Sequence, residues 1–159
     1  MAVEYCLCNT PPAFRKGNNL MRITLESDYA LRIITAMAGY DTIKDAKTIS
    51  TDTSVTQRFT LKILHKLVMG DIVQSYKGAS GGYKLKIKPD EITLRRVIEL
   101  IDGPIAIARC LESSEACALN CDKTACIYHH IFDDISIQLA KKLENITIQD
   151  VINKNYSLT

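Results

Sequence analysis

Three things are missing from this chain. It has no apolar run near the roughly eighteen residues that a membrane-spanning helix needs, which excludes such a helix. Its opening stretch, MAVEYCLCNTPPAFRKGNNL, lacks a basic region leading into an apolar one, so no signal peptide is expected and the cytoplasm is the expected location. It also lacks a Gly-Lys-Ser/Thr sequence followed by a helix, so its glycine-rich stretch at 77–82 is not expected to cradle a nucleotide phosphate. Hydrophobic periodicity is absent from residues 1–20, which contain Pro11, Pro12 and Gly17. They read as a disordered extension, with Cys6 and Cys8 as passengers and Met21 as a candidate start.

What remains can bury a core. Apolar residues make up 47% and charged residues 24% of 159, ordinary values for one globular domain. The net charge of +2 conceals a polarity. Residues 56–88 hold Arg58, Lys62, Lys66, Lys77, Lys84, Lys86 and Lys88 against Asp71 alone, a surplus of six positive charges. The segment before them is balanced, and the segment after them is acidic by four. A concentrated basic block suits a polyanion such as nucleic acid, although a solvated basic face would look the same.

Along the chain, Thr24 or Ser27 caps a first helix whose Tyr29, Ala30, Ile33, Ile34 and Met37 recur at helical spacing up to Gly39. A short second helix is expected over about 43–50. A third starts after Ser54 and ends at Gly70, with Phe59, Ile63, Leu64 and Leu67 expected inside. Thr56, Gln57, Arg58, Lys62 and Lys66 then face outward. Two strand candidates follow, 72–76 and 83–87, joined by Lys77-Gly78-Ala79-Ser80-Gly81-Gly82. The pattern predicts a mainly α protein with a small β-hairpin, a winged helix-turn-helix. In that arrangement Thr56, Gln57 and Arg58 read bases in the major groove, while Lys62, Lys77 and Ser80 contact phosphates. Thr93 caps a fourth helix carrying Leu94, Val97, Ile98 and Ile101, stopped by Gly103-Pro104. Further on, Ile131, Phe132, Ile135, Leu139 and Leu143 mark a long amphipathic helix, and Thr147 with Asp150 makes a capping-box-like start to a last short one. The long helix has little core of its own to cover. It is expected to pair with a second copy, giving a homodimer that presents two reading helices to palindromic double-stranded DNA. The expected organisation is an extension at 1–20, a winged helix at 21–103, a cysteine-rich loop at 104–129 and dimerisation and C-terminal helices at 130–159.

Four of the six cysteines, Cys110, Cys117, Cys121 and Cys126, crowd into that loop, with His129 and His130 just behind. Thiolates are soft ligands, and spacings of a few residues let one loop wrap a metal centre. Zinc and an iron–sulfur cluster use the same Cys and His donors, and spacing does not choose between them. Thiol redox chemistry is a further option. A Cys126–His129 nucleophile is not supported by any neighbouring pocket-forming pattern, and an enzyme is not expected.

These residues together resemble the Rrf2 (Rrf-two) family of bacterial winged-helix transcription regulators, in particular its iron–sulfur cluster-binding members of the IscR and NsrR type. The resemblance spans 21 to about 153. It is carried by Met21-Arg22-Ile23-Thr24 before Asp28-Tyr29-Ala30-Leu31-Arg32, by Lys77-Gly78-Ala79-Ser80-Gly81-Gly82-Tyr83, by Ile92-Thr93, by Gly103-Pro104-Ile105, and by Asn145-Ile146-Thr147-Ile148. It implies a two-iron or four-iron cluster, with zinc as the alternative. Cys110 matches the first cysteine ligand of that family and Cys126 the third. For the middle one Cys117 suits the first gap and Cys121 the second, and Cys117 is preferred. His129 matches the fourth ligand of IscR-like members, whereas NsrR-like members draw a carboxylate from the first helix, here Asp28 of the partner subunit. The implied function is a repressor whose DNA affinity follows iron–sulfur status, redox state or nitric oxide. The alternative is a regulator with zinc or no metal that responds through its thiols or a protein partner, for instance in cysteine metabolism.

Overall fold

The computed structural model describes residues 23–78, 80–112 and 126–154. Helix α1 (Leu25–Ala38) begins at Thr24, whose side chain accepts a hydrogen bond from the Ser27 amide, and it stops at Gly39. Helix α2 (Ala46–Thr53) starts three residues later than its sequence pattern suggested. Asp45 caps it by accepting from the Thr48 amide, and the preceding residues are used elsewhere, since Lys44 exchanges two backbone hydrogen bonds with Tyr83. A three-residue turn follows. Ser54 adopts the left-handed conformation (φ 55°), and buried Val55 plugs the turn while its carbonyl accepts from the Ser50 hydroxyl at 2.6 Å. Helix α3 (Gln57–Met69) follows and packs on both α1 and α2, the order and turn length of a helix-turn-helix.

The hairpin is short. Strand β1 (Val73–Tyr76) pairs antiparallel with β2 (Gly82–Leu85), with Val73 opposite Leu85 and Tyr76 opposite Gly82. Gly82 is obligatory because a Cβ there would sit 2.4 Å from the Lys44 carbonyl oxygen. A 3-10 turn at Pro89–Glu91 leads to α4 (Leu94–Asp102), capped by the Thr93 hydroxyl. The remaining elements are a four-residue helix α5 (Arg109–Glu112), the long α6 (Ile127–Glu144) and α7 (Ile148–Asn153). The capping box expected at Thr147 and Asp150 is present in full. No helix among the described residues is long and apolar enough to cross a membrane.

One core lies under the winged helix. Ala30, Ile33, Ile34 and Met37 of α1 meet Ile49, Ile63, Leu64, Leu67, Ile72, Val97 and Ile101. Each of these isoleucine, leucine, valine and methionine side chains contributes roughly 1.5–3 kcal/mol through removal from water. The chain's end belongs to the same core. Ile148 is fully buried, its amide donates to the Ile92 carbonyl, and the Leu94 amide donates to the Ile146 carbonyl, so α7 closes the base of α4.

Phe59 corrects the sequence reading. The buried face of α3 is Thr60, Ile63, Leu64 and Leu67, which leaves Phe59 at its edge, 40% exposed and edge-on to the Tyr29 ring at 5.9 Å. Thr60 takes the inner place because its hydroxyl is satisfied within the helix, donating to the Thr56 carbonyl at 3.1 Å.

Candidate nucleic-acid interface and metal centre

Thr56, the N-cap of α3, and Gln57, Arg58 and Lys62 after it are all exposed. The first turn of α3 therefore presents the donors that base edges accept, and the hairpin carries Lys77 and Ser80, both exposed, on the loop between β1 and β2. The basic block is less free than its composition implies. Lys62 and Lys66 both reach back to Glu26 on α1, at 2.7 and 2.8 Å, and Lys66 also donates to the Ile101 carbonyl at 3.1 Å. Burial alone would raise the Glu26 carboxyl, but the two lysines outweigh it and hold the carboxylate below its usual range. Lys86 pairs with Asp71 at 2.6 Å, and Lys84 donates to the Asp41 carbonyl at 3.3 Å. Among the described residues Arg58, Lys77 and Lys88 form no ion pair.

Sequence reasoning missed two acidic residues that organise this surface. Glu26 is one. Asp102, the last residue of α4, is the other, accepting from the Thr24 hydroxyl at 2.6 Å and the Ser27 hydroxyl at 2.7 Å. The residue that caps α1 is thus tied to the point where the chain enters the cysteine loop. Neither contact has a local signature, because the partners are 36 and more than 70 positions apart.

At the other end of the molecule, α6 rests on the body through small residues. Ser136 and Ala140 are buried, and the Ser136 hydroxyl accepts from the Ile107 amide at 3.1 Å. Its outer side is apolar and exposed, with Ile127 at 64%, Tyr128 at 68%, and Ile131, Ile135 and Leu139 between 40 and 45%. Two of the cysteine candidates lie where α5 and α6 pack together. Cys110 is on α5 and Cys126 is the N-cap of α6, both half-buried free thiols. His129 stands one turn beyond Cys126 on the same side of α6, and its Nδ1 is buried with no hydrogen-bond partner among the described residues. An unmet buried polar atom costs about 1–3 kcal/mol, and an imidazole nitrogen left so is free to act as a donor to a metal. The donor set of two thiols and an imidazole suits an iron–sulfur cluster or zinc. Cys117 and Cys121 lie outside the described residues, and within those residues no three Cys, His, Asp or Glu side chains gather into a metal site. Asp28 is engaged at home, in an ion pair with Arg32 at 2.8 Å.

A helix-turn-helix with its exposed N-terminal turn, a hairpin wing beside it and a core that leaves both outside define a winged-helix DNA-binding regulator. The comparisons narrow the class. Residues 23–154 match the model of the Rrf2 family, described as an iron-dependent transcriptional regulator, and the chain belongs to that family. It is a transcriptional regulator, in a family that binds DNA and is not enzymatic. It is 26% identical to the HTH-type transcriptional regulator IscR of Aliivibrio salmonicida over 85% of this chain and 79% of that one. Against the HTH-type transcriptional regulator NsrR of Oceanobacillus iheyensis it is 23% identical, over 87% of this chain and 94% of the relative. The solved structure of CymR, the global cysteine regulator of B. subtilis, shares the fold with a TM-score of 0.67 at 20% identity, covering 85% of this chain and 98% of that one.

Proposed function

We propose that this regulator is a homodimer whose affinity for a palindromic operator is set by an iron–sulfur cluster held by Cys110, Cys126, His129 and a middle cysteine, Cys117 or Cys121. The observation that carries the metal reading is the buried Nδ1 of His129, one turn past Cys126, which has no hydrogen-bond partner among the described residues. Soft thiolates and one imidazole supply the donors, and the cluster supplies sensitivity to oxidation and nitrosylation. The chain's own residues do the rest. Thr56, Gln57 and Arg58 read bases, and Lys77 and Ser80 hold the wing to the phosphates. The exposed apolar side of α6 supports pairing with a second copy, which would set two α3 helices one helical turn of DNA apart. Asp102 links the root of the cysteine loop to the cap of α1, so a rearrangement of that loop has a physical route to the DNA-facing helices.

Anaerobic purification followed by visible absorption and iron and sulfide analysis is the direct test. A coloured protein containing iron and sulfide is expected, and Cys110→Ala should lose the colour while keeping its fold. A colourless protein with stoichiometric zinc would support the second reading, a regulator working through zinc or its thiols, which the two free, half-buried cysteines favour. For the DNA half, Arg58→Ala should weaken operator binding more than binding to random DNA, and equal losses would remove Arg58 from base reading.

A further inference from the structure

The lysines of α3 look like phosphate anchors in the sequence, yet the structure spends them internally. Lys62 lies one turn after Arg58 on the same exposed side of α3, its side chain 56% accessible. Its ammonium nevertheless sits 2.7 Å from Glu26 Oε2, while Lys66 takes Oε1 at 2.8 Å. The Glu26 side chain is only 19% accessible. It stands in the first turn of α1, which is fixed by the Thr24 cap and by the hydrogen bonds from Thr24 and Ser27 to Asp102. The carboxylate is therefore held in place before DNA arrives, and it offers two cations the ligand that a phosphate would otherwise provide.

We propose that Glu26 is an internal competitor for the DNA backbone, withholding Lys62 and Lys66 from phosphates and leaving Arg58 and the wing as the cationic contacts of each subunit. The consequence is a lower electrostatic affinity for all DNA than the basic block of 56–88 would give. Non-specific binding rests almost wholly on phosphate contacts, so a regulator restrained in this way spends less of its time on random sequence. This inference rests on α3 being the DNA-reading helix.

The test measures binding of the intact protein to a random-sequence duplex by fluorescence anisotropy across a range of KCl concentrations. Each phosphate contact contributes a slope of about 0.9 in log affinity against log salt, and the changes given below are per bound subunit, so a homodimer engaging DNA with both subunits shows about twice each. Glu26→Gln should steepen the slope by about 0.9 as Lys62 is released, and by up to about twice that if Lys66 follows. Lys62→Gln alone should leave the slope unchanged, and Lys62→Gln added to Glu26→Gln should take back about 0.9. The proposal is overturned if Lys62→Gln by itself flattens the slope by about 0.9, because Lys62 would then reach a phosphate despite Glu26. An unchanged slope for a folded Glu26→Gln overturns it as well. Should Glu26→Gln fail to fold, Lys62→Gln alone decides between the two. If the unmodified protein bound no DNA at any salt concentration, the DNA-reading role of α3 would fail first and carry this inference with it.

Discussion

The two ends of this molecule are built on different terms. In the winged helix, the apolar faces of α1, α3 and α4 close on one another, and the starts of α1, α2 and α4 are capped by Thr24, Asp45 and Thr93. Leu25 of α1 and Leu61 and Met69 of α3 are exposed outside that core, which closes without them. Around α5 and α6 the opposite holds. Isoleucines and a tyrosine are exposed along α6, and among the described residues its N-cap Cys126 makes no side-chain cap hydrogen bond and His129 keeps a buried nitrogen without a hydrogen-bond partner. These exposed and unmet groups are the ones that the proposed second copy and metal would satisfy. The lesson is that the packed core and the region proposed to sense lie apart, with Asp102 tying the start of α1 to the end of α4 between them.

The sharpest way to test that contrast is to remove one apolar side chain from each end. Leu64→Ala should cost about 2–5 kcal/mol in chemical denaturation, because Leu64 is fully buried in a packed core. Ile135→Asp should leave the fold of the winged helix intact yet shift the protein to monomer in sedimentation, since Ile135 is 44% exposed in the single chain. A large loss of fold in Ile135→Asp would break the comparison. Next in size is Gly82→Ala. Its new methyl would collide with the Lys44 backbone and should cost about 1–3 kcal/mol, detaching the wing from the start of α2. The smallest effect is in pH. Glu26 is depressed in the folded protein, so it contributes stability that is fully present above its ordinary value of 4.5 and is lost as the pH falls through the lower folded value. Glu26→Gln should therefore melt with a flatter dependence on pH below about 4.5 than the parent, and parallel curves would remove the role assigned to the ion pairs.

Much of the winged helix was legible because its signals are local. The cap at Thr24, the stop at Gly70, the box at Thr147 and Asp150 and the glycine-rich hairpin each rest on residues within a few positions of one another. Phe59 was misplaced because helical spacing fixes which residues share a side of α3, but not where the centre of the buried side falls. The start of α2 was misjudged because Lys44 pairs with Tyr83, a contact across 39 positions. The acids Glu26 and Asp102 looked like ordinary exposed charges for the same reason.

By itself, then, the sequence determined the order of helices and hairpin, the family resemblance that the comparisons bear out, and the crowding of thiols before a long helix. These depend on periodicity, capping and spacing, which the chain carries along its own length. The tertiary structure alone decided which charges remain available and which are already paired. It also decided that Ile148 returns to the first core and that the His129 nitrogen is buried with no hydrogen-bond partner among the described residues. Such outcomes depend on distances between residues far apart in the chain, and only packing sets those distances.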